Sequence, residues 1–148
     1  MLAQDDHHRA VDKRGDHVMG FSHEKTTHHF RLYADGGAIE VTANDPKDTG
    51  SRDQIRMHLS HIAGMFAQGN FHAPILIHDR VPPGVPVLQR LKAEVYYRFE
   101  EIEGGGRVRI ATQNEEALAA VHDFLKFQIS NHHTGDTDNI TEAPAGAK

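Results

Sequence analysis

Two stretches of the sequence show the same succession of patterns. In each, a glycine-containing turn joins two segments of alternating apolar and polar residues, and an amphipathic run follows. In residues 27–43, apolar and polar side chains alternate on both sides of a Gly-Gly pair. Residues 92–112 repeat this alternation around three consecutive glycines. Alternation with a period of two predicts strands, and glycine at the centre favours a tight hairpin turn. The sequence therefore predicts two β-hairpins.

Each predicted hairpin is followed by apolar residues that recur at helical spacing. We expect the first helix to begin near Ser51 and to run to about Gln68, and the second to run from Asn114 to about Asn131. Residues 71–86 contain four prolines and are predicted to cross the surface as an extended loop. The fold class expected is α+β, ordered ββα-ββα, with a four-stranded antiparallel sheet and two helices packed on one face.

The length of 148 residues fits one domain of ordinary size. We expect residues 17–133 to form a single α+β domain. Residues 1–16 are polar and aperiodic, which predicts a flexible segment. Residues 134–148 are dominated by Thr, Asp, Gly, Ala and Pro, and this composition predicts a disordered tail.

Composition removes several classes of function. The chain has no cysteine, which excludes thiolate catalysis, disulfides, cysteine-zinc sites and iron–sulfur clusters. The net charge of −5 leaves no basic surplus for a phosphate backbone, so we expect no nucleic-acid partner. No apolar run is long enough to span a bilayer, so we expect no membrane insertion.

Histidine is the unusual residue of this chain, with 13 copies against 16 lysines and arginines together. In the first predicted helix His58, His61 and Met65 share one face, and two imidazoles one turn apart are able to chelate a metal ion. His28 lies on the apolar face of the first strand, and His122 falls within the apolar stripe of the second helix. The candidate metal ligands are His58, His61, Met65, His28, His122, His23, His29 and His78.

Imidazole suits copper, zinc and iron, and a thioether would favour Cu(I). The sequence therefore predicts a transition-metal ion as cofactor. One alternative is a non-covalent haem or a non-haem iron with a redox role, since histidines alternate with Phe, Ile and Leu. Another is a metal-free interaction module that uses the free face of the sheet or the proline segment. Individually, a histidine on an apolar face is more often a hydrogen-bonded core residue, and the residues assign no catalytic group.

From about residue 12 to residue 136 the chain resembles a family of small, exported, histidine-rich bacterial proteins of unassigned function. The segments that carry the resemblance are residues 14–30, 56–62, 77–79 with 82–86, and 124–129. The resemblance implies export to the periplasm or the medium, and Leu2 to Gln4 looks like the start left after leader cleavage. Some members carry the label aspartate carbamoyltransferase, but the Ser-Thr-Arg-Thr-Arg loop of that enzyme is absent here. The partners expected are a metal ion and, as an option, a second copy in a homodimer.

Overall fold

A computed structural model describes residues 24–132 and 134–143. The predicted flexible segment 1–16 and the candidate ligand His23 lie outside these residues. The elements in chain order are β1 (Thr26–Tyr33), β2 (Gly36–Ala43), α1 (Thr49–Ala67), α2 (His72–His78), α3 (Val85–Arg90), a 3-10 turn (Lys92–Glu94), β3 (Val95–Ile102), β4 (Gly105–Thr112), α4 (Glu115–His132) and β5 (Ile140–Thr141).

The α+β class is confirmed, but the four-stranded antiparallel sheet is wrong. The described residues form one mixed five-stranded sheet in the order β3-β4-β2-β1-β5. The fifth strand, β5, runs parallel to β1 opposite Leu32 and Tyr33. It comes from the C-terminal segment for which the composition predicts disorder, and the backbone N–H of Ala34 donates to the carbonyl of Thr141 over 2.8 Å. Backbone pairing of this kind needs no apolar pattern, so composition alone does not reveal it.

The two ββα stretches form an internal structural repeat. Thr26 pairs with Ala43 across the first hairpin, and Val95, 69 residues later than Thr26, pairs with Thr112 across the second. At the centre of the sheet Ile39 pairs with Val108, which are also 69 residues apart. The two hairpins are therefore related by a local two-fold axis that passes between Ile39 and Val108.

The long helices follow the same repeat at an offset of 66 residues. The side chain of Asp48 accepts a hydrogen bond from the backbone N–H of Ser51 over 3.0 Å. Asn114 accepts one from Ala117 over the same distance. Both residues satisfy an N–H group that the first helical turn leaves without an intrahelical partner. The predicted starts are thus correct to within two residues.

Each long helix packs mainly on the hairpin of the other repeat. α1 lies over β3 and β4, and α4 lies over β1 and β2. A Cβ atom placed on Gly37 of β2 would meet Leu125 of α4, and one placed on Gly106 of β4 would lie next to Leu59 of α1. These two glycines share one face of the sheet, so both long helices cover that face. Neither ββα stretch buries its own helix alone.

Residues 71–86 are not the extended surface loop that their prolines predict. Most of this segment is helical, as α2 and the start of α3, and Phe71, Pro74, Ile77 and His78 are buried. Proline is tolerated in the first turn of a helix, where the N–H it lacks would have no intrahelical partner. Phe71 stacks on Phe66 at 4.3 Å between ring centroids, and this contact joins the segment to the core.

Candidate functional site

The predicted metal-binding face of α1 carries His58, His61 and Met65. His58 is half-buried and His61 is exposed, one turn apart. Burial, and secondly the neighbouring His61, lower the pKa of His58 below its ordinary value. Met65 is half-buried and packs against the hydrophobic core, which removes it from the exposed side of this pair. His58 and His61 are therefore the more accessible pair on this face, and Met65 contacts the core beside them.

His122 is a hydrogen-bonded core residue. Its ring is buried, and its Nε2 donates a hydrogen bond over 2.8 Å to the backbone carbonyl of Tyr33. This bond satisfies a carbonyl at the end of β1 and ties α4 to the sheet. His122 therefore holds two elements together, and its Nε2 is occupied.

Three other imidazoles come together where α2, the start of β1 and the end of α4 meet. We call His28, His78 and His132 the histidine cluster. The ring of His132 contacts both of the others, with its centroid 6.2 Å from that of His28 and 4.9 Å from that of His78. Phe30 lies 5.7 Å from the His132 ring, and Phe127 lies 4.9 Å from the His78 ring. The cluster thus has an apolar border on two sides.

His78 is the most buried member of the histidine cluster, with 1% of its surface exposed. Both of its ring nitrogens have partners on α4. The side-chain amide of Asn131 donates to Nδ1, which leaves the proton on Nε2, and Nε2 donates to the side-chain oxygen of Gln128 over 2.8 Å. His78 is therefore fixed in one orientation and one tautomer, with its ring edge against His132.

His29 lies on the opposite face of β1 from His28. Its Nδ1 donates to the carboxylate of Asp136 over 2.8 Å, and the backbone N–H of Phe30 donates to the other oxygen of Asp136 over 3.0 Å. Burial raises the pKa of Asp136, but the hydrogen bonds from Phe30, Thr134 and His29 outweigh it and hold the pKa below its ordinary value. A carboxylate on Nδ1 orients a histidine and makes its Nε2 a better ligand or base.

The structure thus separates the predicted ligands into four places. His58 and His61 remain a pair on α1, and His28 and His78 each contact His132. His29 contacts Asp136, and His122 lies in the core. His132 and Asp136 were not among the candidates. The signal for His132 is its spacing of seven residues from Leu125 and three from Ile129, which places it on the apolar stripe of the second helix.

Within residues 24–132 and 134–143, no group of three or more His, Asp or Glu side chains is arranged to hold a metal ion. Among the same residues, no helix has the length and apolar character needed to cross a membrane. No protein-family model, curated protein or solved structure matches the chain.

Proposed function

We propose that the protein binds a transition-metal ion between the imidazoles of His28 and His132. The observation that carries this proposal is the spacing of the two rings, whose centroids are 6.2 Å apart with planes only 2° from parallel. The two rings are stacked, so their in-plane nitrogens reach one ion only when the side chains turn. Rings this close are within the span of two metal–nitrogen bonds of about 2.0–2.1 Å each.

The surroundings of the pair favour ligation. Both rings are half-buried, so water and ions reach them while the ring faces stay packed. An imidazole must be neutral to ligate a metal ion. His78, fixed by Gln128 and Asn131, packs edge-on against the ring of His132 and forms one side of the proposed site. Two protein ligands leave the remaining coordination positions of the ion to solvent.

The chemistry of the pair gives an order of affinities. Two imidazoles without a thiolate suit Cu²⁺ and Zn²⁺, and divalent copper binds nitrogen ligands more tightly than zinc does. We therefore expect Cu²⁺ to bind with higher affinity than Zn²⁺. A metal-binding role is compatible with the export that the family resemblance implies.

The test is a titration of the full chain with Cu²⁺ and Zn²⁺ by calorimetry. The double variant His28→Gln/His132→Gln is compared with His58→Gln/His61→Gln, which removes the same number of imidazoles from α1. We expect the first variant to lose the site and the second to keep it. Loss only in the second variant would move the site to α1, and equal affinity in both would overturn the proposal.

A second readout does not depend on the stability of any variant. Nitrogen hyperfine structure in the electron paramagnetic resonance of wild-type protein with one equivalent of Cu²⁺ should report two imidazole ligands. A signal from carboxylate oxygen alone would contradict the proposal. Haem binding is tested separately by adding haem to the wild-type protein and to His28→Gln/His132→Gln. A Soret band that the variant abolishes would assign an iron porphyrin to this site in place of the bare ion.

A further inference from the structure

The two hairpins differ in what covers the outer sides of β1 and β3, although the internal repeat makes these strands equivalent. β1 and β3 occupy matching positions in the two hairpins. Along the outer side of β1, β5 pairs with Leu32 and Tyr33, and the carboxylate of Asp136 accepts a hydrogen bond from Phe30. In the part of the chain that the structure describes, no strand pairs with the outer side of β3. An eight-residue strand is long for an uncovered edge.

Phe99 of β3 is the repeat equivalent of Phe30 of β1. Phe30 pairs with Ile39, and Phe99 pairs with Val108, at the same distance from its own turn. The N–H of Phe30 points away from β2, because it donates to Asp136 on the far side of β1. By the same alternation of an antiparallel ladder, the N–H of Phe99 points away from β4 toward the open edge.

We propose that β3 pairs with β3 of a second copy of this chain, antiparallel, with the two-fold axis at Phe99. An isologous contact of this kind places each residue opposite its reflection about the axis. Phe99 then exchanges both backbone hydrogen bonds with Phe99 of the second copy. The result is one continuous sheet that extends through two molecules.

Charge selects this register. With the axis at Phe99, Arg98 of each copy lies directly opposite Glu100 of the other, and both residues are on the sheet face that the long helices leave open. Opposite charges at such positions stabilise a strand pair. The side chain of Arg98 is 48% exposed and already reaches Glu100 of its own strand over 2.9 Å, so it lies beside the edge where the second copy would dock. Glu100 is held from the other side by Arg107 over 2.7 Å.

The neighbouring registers are unfavourable. An axis at Arg98 would place this arginine opposite itself, and an axis at Glu100 would do the same for the carboxylate. Like charges directly opposite each other destabilise a strand pair. An axis at Tyr97 avoids this but shortens the paired length. Among axes near the strand centre, only Phe99 brings unlike charges together over nearly all of β3.

The same register covers an exposed aromatic side chain. Tyr96 is 74% exposed on the open face. With the axis at Phe99, Tyr96 lies opposite Ile102 of the second copy, so an aromatic and a β-branched side chain pair across the contact. Contact along one strand buries less surface than a standard stable interface. We therefore expect a dimer that dissociates on dilution.

The experiment is sedimentation equilibrium of the full chain over a range of protein concentrations. Wild-type protein should approach twice the monomer mass as concentration rises. The variant Arg98→Glu places like charges opposite each other twice, and we expect it to weaken dimerisation about tenfold. The double variant Arg98→Glu/Glu100→Arg restores unlike pairs between the copies but places a second guanidinium beside Arg107, so dimerisation should recover in part. Arg52→Glu, the same charge change at a partly exposed position of α1, is the control and should dimerise as wild type does.

A monomer at every concentration, or an Arg98→Glu dimer as tight as wild type, would overturn the proposal. Hydrogen exchange of the wild-type protein gives a measurement that needs no variant. The backbone amides of Tyr97, Phe99 and Glu101 should become more protected as concentration rises, while that of Phe30 should not change. Protection that is independent of concentration at these three amides would also overturn it.

Discussion

The Nδ1 of His29 lies 2.8 Å from Oδ1 of Asp136, which joins β1 to the segment that follows the last long helix. The carboxylate is nearly buried, with 6% of its side chain exposed, and it also accepts the N–H of Phe30. One side chain therefore closes the outer edge of β1 ahead of β5. A buried acceptor of two hydrogen bonds is destabilising to remove.

We predict that Asp136→Asn lowers the free energy of unfolding at pH 7 by about 1–3 kcal/mol, since hydrogen bonds to a charged acceptor are lost or weakened. The pKa of Asp136 is lowered in the folded protein, against the opposing effect of burial. Its stabilising contribution is therefore present above the unfolded pKa and is lost as pH falls through the folded value. The difference between wild type and variant in urea unfolding should shrink below about pH 4. Asp138→Asn, at an exposed position nearby, should leave stability unchanged.

A second prediction concerns the pair on α1. Burial is the first cause, and proximity to His61 the second, of the lowered pKa of His58. Replacing His61 by Gln removes the second cause and leaves the first. The pKa of His58, measured from its ring proton shifts by nuclear magnetic resonance, should rise but stay below the ordinary histidine value. His72→Gln, an exposed residue on α2, should not move it, and an unchanged pKa in His61→Gln would contradict the pairing of His58 with His61.

A third prediction follows from imidazole ligation by His28 and His132. Protons compete with a metal ion for ring nitrogens, and free histidine titrates near pH 6.5. Affinity for Zn²⁺ should fall between about pH 7 and pH 5, with a dependence steeper than one proton if both rings ligate. Binding through carboxylates alone would keep most of its affinity to about pH 4.5. Calorimetric titrations at several pH values separate the two, and a flat profile from pH 7 to 5 would exclude the two histidines.

The hairpins and long helices could be predicted because their signals are local. Alternation places Phe30 and Leu32 on one face whatever the rest of the chain does. Asn114 precedes a helix at the position where a side chain caps it, and the structure has that cap. Ile39 and Val108, which occupy matching positions in the two predicted hairpins, are partners at the centre of the sheet.

The placement of the histidines could not be predicted, because it depends on contacts between distant parts of the chain. His78 is buried by partners 50 and 53 residues later, Gln128 and Asn131. His122 and His28 are both on core-facing positions, yet one bonds to Tyr33 and the other meets His132. The spacing of apolar residues predicts which face of a helix or strand is buried, but it does not predict which element packs on that face. The crossed packing of each helix on the other hairpin is a property of this second kind.

The last prediction compares two glycines, one without space for a Cβ atom and one with open space around that position. A Cβ atom on Gly105 would lie 1.9 Å from the backbone oxygen of Val41, because β2 and β4 approach closely there. Backbone cannot give way as a flexible side chain can, so Gly105→Ala should destabilise the protein by more than about 2 kcal/mol. Gly64 of α1 has no atom within 4 Å of the position a Cβ would take. Gly64→Ala removes a poor helix former and should stabilise by about 0.5–1 kcal/mol. Thermal and urea unfolding of the two variants should therefore shift in opposite directions, and a Gly105→Ala protein as stable as wild type would contradict the close approach of β2 and β4.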